Sequence, residues 1–249
     1  MKALRSRKIF PKLVIIRNSD SPVILKYVHL KQKYGEDIGV TVEDWYREDV
    51  TEAVREANAQ EDVHGIIVQL PLVDPSLTDE VVSEIATEKD VDGLGTEARI
   101  QRGGSAKFES ATATAINWLL AGYDIDLAQS KIALVGRGRL IGKPLARMWG
   151  DSGYDVTAFG RGSDLMTLRD FDVIVSATGV PHLITGEMLK PGAVVVDAGT
   201  ASEGGVLVGD IDDSVRERED LLAITPKVGG VGPLTVTALF EHVLIAANK

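Results

Sequence analysis

Lys131-Ile-Ala-Leu-Val-Gly-Arg-Gly-Arg-Leu-Ile-Gly-Lys-Pro-Leu-Ala-Arg-Met148 is the stretch whose reading decides the fold. Ile132 to Val135 form a short apolar run suited to a strand buried on both faces, and Leu140, Leu145 and Met148 recur at helical spacing beyond it. Gly136, Gly138 and Gly142 lie between. Glycine there permits a sharp turn and lets backbone N–H groups and the positive end of the following helix approach a pyrophosphate that a side chain would block. The spacing is G-x-G-x-x-x-G, one residue longer than the usual dinucleotide fingerprint. Taken alone the pattern leaves two readings open, a nucleotide-binding turn and a plain strand-to-helix connection.

The composition sets the frame around this turn. The chain has 249 residues, 44% hydrophobic and 26% charged, enough for one large α/β domain or two modest ones. A net charge of −10 argues against a nucleic-acid partner, so an anionic ligand must be held by local cations such as Arg137, Arg139, Lys143 and Arg147. The absence of cysteine excludes disulfides, thiolate catalysis and cysteine-ligated metals, and His29, His64, His182 and His242 show no metal-ligand spacing. The first ten residues are basic without a long apolar core, and no run reaches the length of a membrane span. A cytoplasmic protein without membrane partners is expected.

Working back from the turn, Lys12 to Arg17 reads as a first strand and Ser21-Pro22 as an N-cap with proline in the first turn of a helix that Gly39 stops. Val40–Tyr46 and Gly65–Leu72 read as strands, Thr51–Ala59 as a helix, and Thr78–Thr87 as a helix with a threonine cap. Residues 93–107 read as a long polar loop near a site, and about Thr112 to Leu120 as a helix leading into a second domain. Forward of the turn, Asp155–Phe159, Asp172–Ser176, Ala193–Asp197 and Leu222–Thr225 are expected strands, joined by turns or short helices. Thr235–Ala247 is a strongly apolar final helix after the glycine turn 229–233. Such alternation predicts α/β architecture with parallel sheets. Two domains are expected: residues 1–122 with 234–249, and a Rossmann-type domain over 123–233.

Three groups of residues could carry chemistry. Tyr27 and Lys31 stand one helical turn apart on the face that docks on the sheet. Lys31 is either a snorkelling lysine with its ammonium in water or a desolvated one that exchanges protons near neutrality with the tyrosine orienting it. Gln69 lies at the carboxyl end of a strand, where open α/β sheets place ligands, although an isolated glutamine there also serves to tether a loop. Asp90 and Asp92 fit turn formation better than a metal site, because no further oxygen-rich loop accompanies them.

Six motifs occur in one order: Tyr-Val-x-x-Lys-x-Lys (27–33), Val-Gln-Leu-Pro-Leu (68–72), Lys-Asp-Val-Asp-Gly (89–93), Gly-Arg-x-x-x-Ile-Gly-x-Pro (136–144), Lys-Pro-Gly-Ala-Val-Val-x-Asp (190–197) and Gly-Gly-Val-Gly-Pro-x-Thr (229–235). On these motifs the chain resembles the FolD family of bifunctional methylenetetrahydrofolate dehydrogenases and methenyltetrahydrofolate cyclohydrolases, from about Leu13 to the C-terminus. The resemblance implies a cleft between two domains, oxidation of 5,10-methylenetetrahydrofolate with NADP⁺, and hydrolysis of the methenyl product to 10-formyltetrahydrofolate. It implies a place in one-carbon metabolism and purine biosynthesis, and a homodimer. Tyr27, Lys31 and Gln69 become the catalytic group. Asp92 becomes a pterin ligand, with Tyr27, Gly232, Pro233 and Thr235 as further folate contacts. Gly136, Arg137, Gly138, Gly142, Arg161, Ser163, Thr178 and Gly179 become the cofactor site, with no metal.

An NADP site is also read from residues 157–163, Thr-Ala-Phe-Gly-Arg-Gly-Ser, which offer no carboxylate before Asp164. Arg161 can present its planar fork to a 2′-phosphate, with Ser163 and Arg137 beside it. The alternatives are an Arg161 that only decorates a loop and an Asp164 that reaches a ribose. The chain departs from the family pattern at Ser110-Ala111-Thr112-Ala113 (family Pro-Cys-Thr-Pro), Leu94-Gly95-Thr96 (Phe-His-Pro), Gly138 (serine) and Val228 (proline). It also begins too late to hold the family's first helix in full. A monofunctional enzyme and a non-catalytic folate- or nucleotide-binding protein are the competing readings.

Overall fold

The computed structural model describes residues 4, 6–199, 201–203 and 206–248. The reading of the first ten residues falls partly on Met1, Lys2, Ala3 and Arg5, which lie outside them. Among the described residues no helix is long and apolar enough to cross a membrane. The chain divides into two compact units, Met1–Ala111 with Val236–Lys249, and Thr112–Thr235.

The first unit is built on a parallel sheet in the order β2-β1-β3, from β1 (Lys12–Arg17), β2 (Thr41–Tyr46) and β3 (Gly65–Val68). Helix α1 (Pro22–Ile38) starts where the Ser21 side chain accepts from the Ile24 N–H at 3.3 Å. It stops at Gly39, whose φ of 78° gives a left-handed cap. Helix α2 (Val50–Ala59) is capped by Asp49 and packs Ala53, Val54 and Ala57 against Val14, Ile16 and Val68. Helix α3 (Thr78–Ser83) departs from expectation at its start. Thr78 does not cap it; Asp74 caps the 3-10 turn Pro75–Leu77 that runs directly into it. The expected loop 93–107 contains a helix, α4 (Thr96–Gln101), whose short polar sequence hid it.

The second unit opens with α5 (Ala111–Gly122) and holds a parallel sheet in the order β10-β7-β6-β4-β5. Its strands are β4 (Lys131–Val135), β5 (Asp155–Phe159), β6 (Val173–Ser176), β7 (Val194–Asp197) and β10 (Ala223–Ile224). Alternate residues fill opposite faces. Ile132 and Leu134 pack with Ile116 of α5 and with Leu145 and Trp149 of α6 (Gly142–Asp151). Ala133 and Val135 face Phe159, Leu168 and Ile184. Leu140 lies outside α6 and is exposed, so the apolar face runs through Leu145 and Trp149 instead. A two-stranded antiparallel sheet, β8 (Ala201–Glu203) with β9 (Val206–Val208), adds to the expected strands.

The contact boundary falls after Ala111, the first residue of α5, earlier than the break expected after residue 122, because α5 buries Ile116 and Leu120 in the second unit's core. The final helix, α7 (Val231–Ala247), begins earlier than expected and takes Gly232 and Pro233 into its first turn. Its early part belongs to the second unit and residues 236 onward to the first.

Candidate functional site

Both units follow one rule: ligands of parallel α/β sheets sit beyond the carboxyl ends of the strands, where chain order reverses. In the first unit the chain passes from β1 to β2 on one side and reaches β3 on the other. Gln69 is the residue after β3, and its N–H is tied to the Ile16 carbonyl of β1 at 2.8 Å. Its side-chain oxygen accepts from Lys31 Nζ at 2.9 Å. The glutamine amide nitrogen donates to the Leu70 carbonyl at 3.3 Å, which fixes which end of the amide faces the lysine.

Lys31 therefore does not snorkel. Burial lowers its pKa, opposed by the nearby Asp92 carboxylate. Asp92 is pushed up to about 6 by burial, with Lys31 pulling it down and Asp90 pushing it further up. Loss of solvation disfavours the charged form of each group, and the attraction between ammonium and carboxylate offsets only part of that cost. Tyr27 is half-buried one turn before Lys31, but among the described residues its hydroxyl makes no hydrogen bond to the lysine. Gln69, not the tyrosine, orients the ammonium in this structure.

The loop carrying Asp92 is heavily anchored. Lys89 Nζ donates to the carbonyls of Ala57, Asn58 and Gln60 at 3.2, 2.8 and 2.7 Å, closing the C-terminal end of α2. The buried Asp90 pairs with Arg99 and accepts from the N–H groups of Leu94 and Gly95, each at 3.0 Å. The turn reading thus holds for Asp90. Gly93 has φ +67°, and a side chain there would strike the backbone of Glu109 and Ser110. From the far side His242 of α7 contacts the Val91 carbonyl. Leu94-Gly95-Thr96 serves this anchoring: Leu94 is in the core, Gly95 bonds Asp90, and the Thr96 hydroxyl donates to the Phe108 carbonyl at 2.9 Å.

In the second unit β4 lies between β5 and β6, so its carboxyl end marks the reversal. Gly136 has φ +111° and abuts the Ala177 carbonyl, which sets the glycine turn against the backbone of Ala177 and Thr178, directly before Gly179. A side chain at Gly142 would collide with the Gly136 carbonyl, so the turn tolerates no other residue there. Gly138 faces open space in front of α6, a helix whose first turn has neither a side-chain cap nor an acidic residue. That is the surface an anionic ligand needs.

Arg137 donates to the Ala158 carbonyl at 2.8 Å and lies over Gly160, at the end of β5. Ser163 Oγ accepts from the Gly160 N–H at 3.0 Å, and Arg161 is exposed between them. Asp164 is occupied: it caps the following 3-10 turn by accepting from the Met166 N–H at 2.9 Å. These positions fit a 2′-phosphate better than a free ribose hydroxyl. Gly232 and Pro233 are exposed at the start of α7, and Thr235 Oγ donates to the Val231 carbonyl at 3.2 Å.

Behind Thr178 lies a buried network in which Asp197, the last residue of the 190–197 motif, meets Asp210, which no motif contains. Asp210, fully buried, accepts from Ser176 Oγ at 2.7 Å and from the Thr178 N–H at 2.6 Å. Asp197 accepts from the Asp210 N–H at 3.0 Å and from Arg216 Nη2 at 2.7 Å. For Asp210 the only sequence signal was an acidic residue among valines and an isoleucine.

Two parallel α/β units, one with a Rossmann-type glycine turn and the other with a half-buried lysine–glutamine–aspartate group, define a two-domain protein of the NAD(P)-binding class. Residues 1–92 match the family model described as the tetrahydrofolate dehydrogenase/cyclohydrolase catalytic domain, and residues 110–249 match its NAD(P)-binding domain. The chain belongs to the tetrahydrofolate dehydrogenase/cyclohydrolase family. It is 37% identical over 248 residues to the bifunctional protein FolD of Aquifex aeolicus, spanning 94% of this chain and 84% of that one. A crystal structure of the bifunctional FolD enzyme from Campylobacter jejuni superposes with TM-score 0.90 at 31% identity, covering 99% of this chain and 91% of that one. The Trypanosoma brucei FolD complexed with NADP cofactor and inhibitor gives TM-score 0.87 at 30% identity, covering 98% and 90%.

Proposed function

We propose that this protein oxidises 5,10-methylenetetrahydrofolate to the methenyl compound with NADP⁺ and hydrolyses that product to 10-formyltetrahydrofolate. The observation that carries the reading is Lys31, half-buried and held at 2.9 Å by Gln69, with its pKa lowered by the loss of solvation. A lysine so placed gives up its proton more readily than a fully hydrated ammonium, which suits it to proton transfer.

NADP⁺, when bound, supplies the hydride acceptor. The chain's own residues bind, orient and move protons. Asp92, Tyr27, Gly232, Pro233 and Thr235 hold the folate. In the hydrolytic step Lys31 takes a proton from the attacking water as the C–O bond forms. It returns a proton to the folate nitrogen as the ring C–N bond breaks, and one proton is released overall. Gln69 fixes the Nζ position for both transfers. Gly136, Arg137, Gly138, Gly142, Thr178 and Gly179 cradle the dinucleotide, and Arg161 with Ser163 reads the 2′-phosphate. The occupied Asp164 supports NADP⁺ over NAD⁺. The first unit serves as the folate domain and the second as the nucleotide domain. The protein acts as a cytoplasmic homodimer whose product is a one-carbon donor of the kind purine synthesis consumes.

An absorbance assay that follows methenyltetrahydrofolate as it forms and disappears tests the reading. Lys31→Met keeps the stem and removes the titratable group, and is expected to abolish hydrolysis while the fold persists. A folded Lys31→Met that hydrolyses the methenyl substrate at the wild-type rate overturns it.

A further inference from the structure

The imidazole of His242 projects from α7 into the first unit, where it is 6% exposed and no proposed chemistry uses it. Nδ1 lies 2.8 Å from the Val91 carbonyl, the residue directly before Asp92. A carbonyl only accepts, so Nδ1 carries the proton. The ring is stacked on Phe108 with centroids 4.9 Å apart, and the Phe108 carbonyl is held by Thr96. The orientation of the imidazole is therefore set from two sides. Val91 is itself fully buried, packed beside Gly65 of β3, so its carbonyl has no access to water as a substitute partner.

We infer that His242 is a positioning residue: by holding the Val91 carbonyl it fixes the backbone from which Asp92 reaches the folate. The inference rests on the proposed folate role of Asp92. The Lys89 and Asp90 anchors secure the loop before and behind Asp92, the Ala111 N–H donates to the Asp92 carbonyl at 3.4 Å, and among the described residues His242 is the side chain that holds the Val91 carbonyl immediately preceding it. Removal of that one bond lets the Val91–Asp92 peptide rotate to find another partner, and the carboxylate moves with it.

The test compares His242→Leu, which fills the space without a donor, with His242→Asn. The asparagine amide nitrogen stands two bonds beyond Cβ, where the imidazole carries Nδ1. Steady-state kinetics of 5,10-methenyltetrahydrofolate hydrolysis and thermal stability are measured for both, each in the wild-type and Asp92→Ala backgrounds. His242→Leu is expected to raise KM about tenfold, the size of one unsatisfied buried carbonyl, with kcat changed less. His242→Asn is expected to restore KM, and the leucine effect on KM to vanish in the Asp92→Ala background while its stability cost persists. If Asp92→Ala alone leaves KM unchanged, the folate role of Asp92 fails first. If Asp92→Ala raises KM but His242→Leu leaves it untouched, or multiplies it equally in both backgrounds, His242 is only a packing residue and the inference is wrong.

Discussion

Asp92→Asn should make the protein more stable while impairing its binding of folate. Burial raises the Asp92 carboxyl from the usual 3.8 to about 6. A carboxyl raised on folding binds its proton more tightly in the folded than in the unfolded chain. As pH climbs from below 3.8 to above 6, the unfolded chain releases that proton first. The folded state loses stability across this window and stays lower above it. Converted at ~1.36 kcal/mol per pH decade, the interval amounts to about 3 kcal/mol. Asparagine keeps the shape and carries no charge to desolvate. It also removes the carboxylate that favours charged Lys31, which takes back part of the gain. The expected increase at pH 8 is about 1–3 kcal/mol. Near pH 3.5 it should approach zero. Urea unfolding of both proteins between pH 3.5 and 8 measures it. An Asp92→Asn variant no more stable than wild type at pH 8, or one whose advantage is the same at both ends, would refute the reasoning.

Arg161→Ala should raise KM for NADP⁺ at least tenfold and leave KM for NAD⁺ nearly unchanged, since one charge-assisted contact to a 2′-phosphate is worth about 1.5–3 kcal/mol; equal changes with both cofactors would remove Arg161 from the phosphate. Gly142→Ala forces a methyl group into the Gly136 carbonyl and should cost about 2 kcal/mol or more, whereas Gly138→Ser points into open space and should change stability by less than about 0.5 kcal/mol. Equal unfolding midpoints for the two variants would contradict the turn geometry. Lys89→Met uncaps three carbonyls at the end of α2 and should cost about 1–3 kcal/mol, read as a lower urea midpoint; an unchanged midpoint would mean that water replaces the ammonium without loss.

Patterns with a short period were legible in the sequence. β1 and β5 have the bounds their apolar runs predict, and Ser21 and Gly39 frame α1, because strand burial and helix caps leave local signals. Lys31 and Gln69 were singled out by their places on a sheet-facing helix and at a strand end, but only the fold could show the amide reaching the ammonium. What stayed hidden depends on residues distant in the chain. His242 reads as one histidine on an apolar helix and acts on a carbonyl 151 positions away. Lys89 stands in the 89–93 motif, but its hold on the end of α2 depends on residues some thirty positions earlier. Helix α4 escapes the sequence pattern because six residues with only Ala98 and Ile100 apolar carry too little periodicity to separate a short helix from a loop.

The path of the chain through its two units constrains the order in which the protein can mature. Residues 236 onward complete the first unit: Phe240 packs on Tyr34 with ring centroids 5.0 Å apart, and His242 seals the loop that bears Asp92. During synthesis these residues leave the ribosome only after the whole of the nucleotide unit. The N-terminal sheet must therefore wait, with the Tyr34–Gly35 face of α1 uncovered, while the Rossmann sheet can close on itself beforehand. A chain truncated after Thr235 and free of the ribosome should thus carry a protease-resistant second unit behind a protease-sensitive first one.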